Sequence, residues 1–173
     1  MKRIILTGAP GAGKTVLIRE LERLGYPIVE EAATDVIALE QARGHLWPHE
    51  RRQFIETIAK LQLQRAKNAT AGPVQFHDRS VVCTAALAEF LGYPIPPLLE
   101  RAIVEARTQF EPRVAFVRLL GFIQKTGARQ IGLEDSIRFE AVHEKVYRHY
   151  GFELHFVQPA DIDTRIRAVL AFM

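Results

Sequence analysis

The fold of this chain is decided by a short stretch near its N-terminus, Gly8-Ala9-Pro10-Gly11-Ala12-Gly13-Lys14-Thr15. The stretch matches G-x-x-x-x-G-K-[ST] in full, with a β-rich run before it and helical apolar spacing after it. Its glycines allow positive φ, so successive backbone N–H groups can fold around a phosphate. We therefore predict that residues 8–15 form a phosphate-binding loop, with Lys14 between the β- and γ-phosphates and the Thr15 hydroxyl on Mg²⁺. The alternative is a glycine-rich turn without a ligand.

Length and composition limit the classes of protein to consider. The 173 residues include 23 Lys and Arg against 20 Asp and Glu, a net charge of +3, with 48% hydrophobic and 25% charged residues. These values predict one globular domain over residues 1–173 and exclude disordered and fibrous architectures. The small net charge disfavours a dedicated nucleic-acid binder, although it leaves a local basic patch open.

The chain shows no sign of export or membrane insertion. The apolar run after the basic N-terminus, Ile4-Ile5-Leu6, is too short for a signal peptide, and no stretch approaches the length of a membrane span. The single cysteine, Cys83, cannot form an internal disulfide and is expected to be a small buried side chain. We expect a soluble protein of the cytoplasm without a membrane partner.

Strand-like and helix-like segments alternate along the whole sequence, which predicts βαβ units around a parallel sheet covered on both faces. The predicted strands are 3–6, 27–29, 74–77, 114–119 and 153–157. The predicted helices are 16–24, 31–42, 49–71, 80–91, 98–108, 134–150 and 162–172. The charged helix at 134–150 is interpreted mainly as a solvated face.

Acidic and basic residues follow the second and third predicted strands, at the edge where parallel sheets bind ligands. Asp78 is the candidate carboxylate for Mg²⁺, and Arg79 is the candidate partner of phosphoryl oxygens; a helix cap and a solvated arginine are the alternatives. Glu31, slightly preferred over Glu30, could orient or deprotonate an acceptor hydroxyl. It could equally be an acid in the first turn of a helix.

A glycine-containing segment with cationic side chains follows the fourth predicted strand. We predict a lid over about residues 121–134 that closes over the phosphates, with Arg129 preferred to Lys125 because a guanidinium can bind two oxygens. Arg138, on the next helix, is expected to converge on the same polyphosphate. A solvated loop is the alternative.

Trp47, beside His45 and His49, could stack on a base in an acceptor pocket or simply pack against the rest of the protein.

With these elements placed, the chain resembles small P-loop ATPase and kinase-like proteins often labelled AAA-type ATPases. These are related to the ribosylnicotinamide-kinase domain of NAD regulators and to nucleoside and nucleotide kinases. The matching segments are 3–15, 25–33, 76–80 and 138–154. Deoxynucleoside kinases are similar in placing a carboxylate after strand two and an acid-Arg-Ser triplet after strand three, here Glu31 and Asp78-Arg79-Ser80. The resemblance implies a three-layer α/β sandwich with a five-stranded parallel sheet in order 2-3-1-4-5 and a short lid.

The leading functional hypothesis is a phosphotransferase that moves the γ-phosphoryl group of ATP·Mg²⁺ to a small nucleoside-like or nucleotide-like acceptor. Lys14, Arg79 and Arg129 would stabilise the transferring group, and Glu31 would orient the acceptor. One alternative is an ATPase or switch that binds a partner and has no phosphoryl acceptor; another is a kinase of nucleic-acid ends. The only asparagine, Asn68, is not in an N-K-x-D motif, which disfavours a GTPase.

Overall fold

A computed structural model describes residues 1–121 and 132–171. Its centre is a five-stranded sheet in the order β2-β3-β1-β4-β5, and all of its strand pairs are parallel. The strands are β1 (Lys2–Thr7), β2 (Ile28–Val29), β3 (Val74–Asp78), β4 (Arg113–Val117) and β5 (Glu153–Val157). The predicted α/β class and strand order are therefore confirmed, and the carboxyl ends of β1, β2 and β3 lie next to one another.

Helices cover both faces of the sheet and complete the three-layer sandwich. They are α1 (Lys14–Arg23), α2 (Ala33–Ala42), α3 (Phe54–Asn68), α4 (Val81–Leu91), α5 (Pro97–Gln109), α6 (Leu133–His149) and α7 (Ile162–Leu170). Because successive strand residues point to opposite faces, Ile4 and Leu6 pack with α1 and α7, whereas Ile5 packs with the helices of the other face. In the described ranges, no helix has the length and apolar character needed to cross a bilayer.

The prediction of one long helix over 49–71 is wrong at both ends. A 3-10 turn at Pro48–Glu50 comes first, and α3 runs only from Phe54 to Asn68. A residue distant in the sequence stabilises this turn: the Tyr93 hydroxyl donates to the His49 carbonyl at 2.7 Å. Arg51, just after the turn, reaches Glu40 of α2 at 2.9 Å, a contact that the local sequence pattern does not reveal.

The predicted lid lies largely outside the described residues. Of the range 121–134, the structure describes Gly121 and residues 132–134, and α6 already begins at Leu133. Arg129 and Lys125 fall in the part that is not described.

The chain leaves the sheet after β1 through a backbone position that admits only glycine. Gly8 has φ +133°, and a Cβ atom there would lie 2.2 Å from the carbonyl oxygen of Val117 at the end of β4. The adjacent β1 residue, Thr7, is paired with Phe116 of β4, so neither backbone can move away without breaking the sheet. The entry to the phosphate-binding loop is thus fixed by the sheet itself.

We predict that Gly8→Ala lowers the free energy of unfolding by at least about 2 kcal/mol, because it combines a strained φ with a collision against backbone. Gly25→Ala is the matched control: Gly25 has φ +90° but nothing within 4 Å of the added Cβ. The control should lose only about 1–2 kcal/mol from backbone strain. Urea unfolding of both variants measures the difference, and equal losses would contradict the proposed contact with Val117.

Candidate functional site

The loop between β1 and α1 has the geometry of an anion cradle. Gly8, Gly11 and Gly13 have φ values of 133°, 87° and 75°, which turn the chain back on itself before α1 begins at Lys14. No side chain caps the N-terminus of α1, and its first turn contains no acidic residue. The first N–H groups of α1 and its dipole therefore favour an anion at this point. The whole predicted stretch, residues 8–15, lies in this loop and the first turn of the helix.

Lys14 lies inside the cradle rather than in solvent. Its side chain is buried, and Nζ donates to the Ala9 carbonyl of the same loop at 2.9 Å. Burial, reinforced by the charge of Arg79, lowers the pKa of Lys14 to about 7, although the carboxylates of Asp78 and Glu31 partly oppose the shift. The three charged residues predicted from the ends of β2 and β3 are therefore close enough to Lys14 to influence its charge.

Arg79 turns back toward this cradle through an uncommon backbone conformation. It is the only non-glycine residue with positive φ (70°) in the described ranges, and its N–H donates to the Leu6 carbonyl of β1 at 2.9 Å. Ser80 then caps α4 by accepting from the Val82 N–H at 3.2 Å. Asp78, the last residue of β3, is 6% exposed. The helix cap is thus Ser80, and the arginine is not the solvated side chain of the alternative interpretation.

The neighbouring residues Glu31 and Glu30 have different partners and different exposure. Glu31 pairs with Arg79, with Oε1 3.1 Å from Nε, and both side chains are mostly buried. Glu30 instead pairs with Arg19 at 3.2 Å, and both of those side chains are more than half exposed. Glu31 also lies just before α2, and its Oε2 accepts from Thr34 Oγ1 in the first turn of that helix at 3.3 Å. The Glu31–Arg79 ion pair raises the pKa of Arg79 even though burial acts to lower it.

Arg65 holds the segment that carries Glu31, a role that sequence reasoning missed. Its guanidinium donates to the Glu31 backbone carbonyl and pairs with Asp35 at the start of α2. A residue on α3 therefore fixes the backbone after β2. The sequence contains no local signal for this contact, because Arg65 lies far along the chain from Glu31 and resembles any other cation in a polar helix.

A cavity of about 300 Å³ opens beside the Glu31–Arg79 pair. Most of its lining is apolar, and Gln62, whose Oε1 accepts from Thr84 Oγ1 at 3.3 Å, is a buried polar group in it. The apolar part of the lining consists of Pro10, Ala32, Ala33, Ile37, Leu46, Trp47, Pro48, Phe54, Ile58, Leu87, Phe90, Leu91 and Phe139. An uncharged ring would bury its faces here while its polar edge met Gln62.

Of the remaining residues that the sequence analysis singled out, some line this cavity and others lie at the surface. Trp47 and His49 line the cavity, whereas His45 lies with Glu40 and Arg51. Cys83 is buried, as expected, and also lines the cavity. Arg138 does not converge on the phosphate loop: it is 68% exposed and pairs with Asp135 on its own helix, one turn away.

The interpretation of residues 134–150 as mainly a solvated face missed a buried stripe along α6. Phe139, His143 and Tyr147 are buried at helical spacing, which is the sequence signal that could have revealed them. His143 Nε2 lies 3.3 Å from Arg79 Nη1, and the Tyr147 hydroxyl lies 2.8 Å from Ser80 Oγ and 2.9 Å from Cys83 Sγ. The helix α6 therefore contacts the site along its length.

The side chains present suit a magnesium ion held jointly with phosphates. Mg²⁺ is usually bound through one or two protein oxygens together with substrate phosphates and water. Thr15 in the first turn of α1 and Asp78 at the end of β3 supply a hydroxyl and a carboxylate beside the cradle. Within residues 1–121 and 132–171, no group of three or more His, Cys, Asp or Glu side chains could hold a metal by itself.

We predict that a nucleotide takes up a proton when it binds, because bound phosphates stabilise the charged form of Lys14 and raise its pKa from about 7. At pH 8 the uptake should be on the order of one proton, and at pH 6 it should fall, since Lys14 is then already protonated. Calorimetric titration with ADP in two buffers of different ionisation heat measures the uptake. The Lys14→Arg variant should lose it; heats independent of the buffer at pH 8 would contradict the prediction.

Comparison with known proteins assigns a family to the sequence. The model of a family described as an AAA domain matches residues 3–165. No curated protein matches the sequence significantly. The resemblance expected from the sequence to P-loop kinase-like proteins is therefore confirmed at the level of the family and the fold.

Several solved structures share the fold at low sequence identity. Deoxyadenosine kinase from M. mycoides with dCMP and dCDP is 16% identical, with a TM-score of 0.67 over 98% of this chain and 97% of that chain. The NadR protein in complex with NR is 17% identical with a TM-score of 0.75, over 99% of this chain but only 50% of that chain. The YorR protein from Bacillus subtilis with phosphorylated GDP is 16% identical, with a TM-score of 0.60 over 99% and 95%.

Proposed function

The chain belongs to this AAA-domain family, and from that membership and its P-loop kinase-like fold we propose that it is a small-molecule kinase. It transfers the γ-phosphoryl group of ATP to a hydroxyl of a nucleoside-like or nucleotide-like acceptor, with Mg²⁺. The observation that carries the proposal is that the Glu31 and Arg79 of one ion pair both interact electrostatically with Lys14 and both line the apolar cavity. A cavity of this size next to the ion pair favours transfer to a ring-bearing acceptor over transfer to water.

In the proposed reaction, the oxygen of the acceptor hydroxyl forms a bond to the γ-phosphorus while the bond to the β–γ bridging oxygen breaks and ADP leaves. The Glu31 carboxylate accepts the hydrogen bond of the hydroxyl, and thus points its oxygen at the phosphorus and receives its proton. Lys14 and Arg79 neutralise the charge on the transferring group. Thr15 and Asp78 would hold Mg²⁺ here, and its positive charge would help to stabilise the phosphates.

The shape of the cavity supports a ring-bearing acceptor. An aromatic ring could pack against the aromatic side chains of the lining, Trp47, Phe54 and Phe90, and Gln62 offers a carboxamide for its polar edge. The similar structures hold dCMP and dCDP, NR, or phosphorylated GDP, which makes nucleosides and nucleotides the first compounds to test. We place the reaction in the cytoplasm, where ATP is present and Cys83 would stay reduced.

The test is a panel of acceptors with γ-labelled ATP: ribo- and deoxynucleosides, ribosylnicotinamide, nucleoside monophosphates and diphosphates, and 5′-hydroxyl oligonucleotides. We expect the label to appear on at least one nucleoside or nucleotide, with one product formed for each ADP. Label on oligonucleotides alone would favour a kinase of nucleic-acid ends. ATP hydrolysis at the same rate with and without every acceptor would favour the ATPase alternative and overturn the proposal.

The two neighbouring glutamates provide a matched pair of variants. Glu31→Gln should lower kcat for the acceptor by about 10²-fold or more, because it removes the group that accepts the proton. Glu30→Gln should leave kcat within about twofold, since both Glu30 and its partner Arg19 are more than half exposed. The dissociation constant of ATP serves as the control for folding and should change little in either variant. Equal activity of Glu31→Gln and Glu30→Gln would exclude Glu31 from the reaction.

A further inference from the structure

Arg79 contacts two side chains, and the sequence predicted neither contact. Its Nε faces Glu31 Oε1 at 3.1 Å, and its Nη1 faces His143 Nε2 of α6 at 3.3 Å. The imidazole is completely buried. A guanidinium has a plane, and contacts at two of its three nitrogens fix both the position and the tilt of that plane.

The protonation of His143 follows from its hydrogen bonds. Nδ1 lies 2.9 Å from the Phe139 carbonyl oxygen, which can only accept, so Nδ1 carries a proton. Arg79 can only donate, so Nε2 must present its lone pair. The two contacts together require a neutral imidazole with its proton on Nδ1. This tautomer makes His143 an acceptor for a cation, a role that a protonated histidine could not perform.

The surroundings of His143 favour the same neutral form. Burial lowers the pKa of His143 well below its usual value, and the positive charges of Arg79 and Lys14 lower it further, although the Phe139 carbonyl opposes the shift. Arg79 comes from the end of β3 and Lys14 from α1, so the cations face the imidazole from elements other than its own helix. A cation at His143 would be repelled by both.

We infer that His143 is a positioning residue for Arg79: its Nε2 lone pair fixes the guanidinium plane that Glu31 holds from the other side, at the edge of the acceptor cavity. The inference rests on the proposed function for its effect on catalysis. Since His143 acts through Arg79, its loss should reduce the rate of phosphoryl transfer more than the binding of ATP, and only while Arg79 is present.

The chain offers a conservative variant, a disruptive variant and a control on the same helix. Glutamine at position 143 can place an amide oxygen where Nε2 lies, whereas leucine fills a similar volume without an acceptor. His149, at the last position of α6, is exposed. His149→Leu therefore makes the same chemical change on the same helix outside the site.

His143→Leu should lower kcat for the acceptor found in the panel by about 10–100-fold with KM for ATP nearly unchanged, because a displaced catalytic group slows the chemical step. His143→Gln should recover most of that loss, and His149→Leu should lose none. In an Arg79→Ala background, His143→Leu should have no further effect. Equal losses of kcat in His143→Gln and His143→Leu would overturn the inference. So would an undiminished effect of His143→Leu on kcat in the Arg79→Ala background.

A second measurement is independent of any kinase activity. In the ¹⁵N spectrum of the arginine side chains, the two Nη atoms of Arg79 should give separate signals in the wild type and in His143→Gln. The signals are separate because rotation of the guanidinium group is hindered. Those signals should merge in His143→Leu. Separate signals in His143→Leu would show that His143 does not hold Arg79, whatever the acceptor panel gives. If no acceptor is phosphorylated but the signals merge, the proposed function fails while the positioning role stands.

Discussion

The ion pair between Glu31 and Arg79 is the interaction on which the rest of the site depends. It joins the segment after β2 to the end of β3, and its two residues interact electrostatically with Lys14 and line the apolar cavity. Burying two opposite charges is costly unless their geometry is fixed and their other atoms are bonded. The fold meets that condition with Arg65 behind the backbone of Glu31 and His143 beside Arg79.

The backbone carbonyl of Ala9 and the charge of Arg79 both act on Lys14 in the phosphate-binding loop. Lys14 donates to the Ala9 carbonyl of its own loop, and its pKa is lowered by burial and by Arg79. Phosphate oxygens next to Lys14 and Arg79 would stabilise the charged forms of both side chains and would raise the pKa of Lys14.

The sequence was sufficient for features that depend on local pattern and on strand direction. The phosphate loop at 8–15 follows from its motif, and Asp78 and Arg79 follow from the rule that ligands bind at the carboxyl ends of parallel strands. Contacts between distant helices could not be predicted in this way. Arg65 on α3 and His143 on α6 act on residues far along the chain. The helical spacing of Phe139, His143 and Tyr147 could have indicated that His143 is buried, but no local pattern identifies the partner of Arg65 or of His143. Which of Glu30 and Glu31 lies near Arg79 also depends on a contact between residues far apart in the sequence, so local pattern could not decide between them.

The central claim is that the phosphate cradle and the apolar cavity form one continuous site across the Glu31–Arg79 pair. It is tested most directly with compounds that join adenosine, through four phosphates, to each nucleoside of the acceptor panel. Occupying both halves at once should make at least one compound bind about 10²-fold more tightly than ATP, as measured by calorimetry. If every such compound binds no more tightly than ATP, the two halves do not form one site, and the account is contradicted.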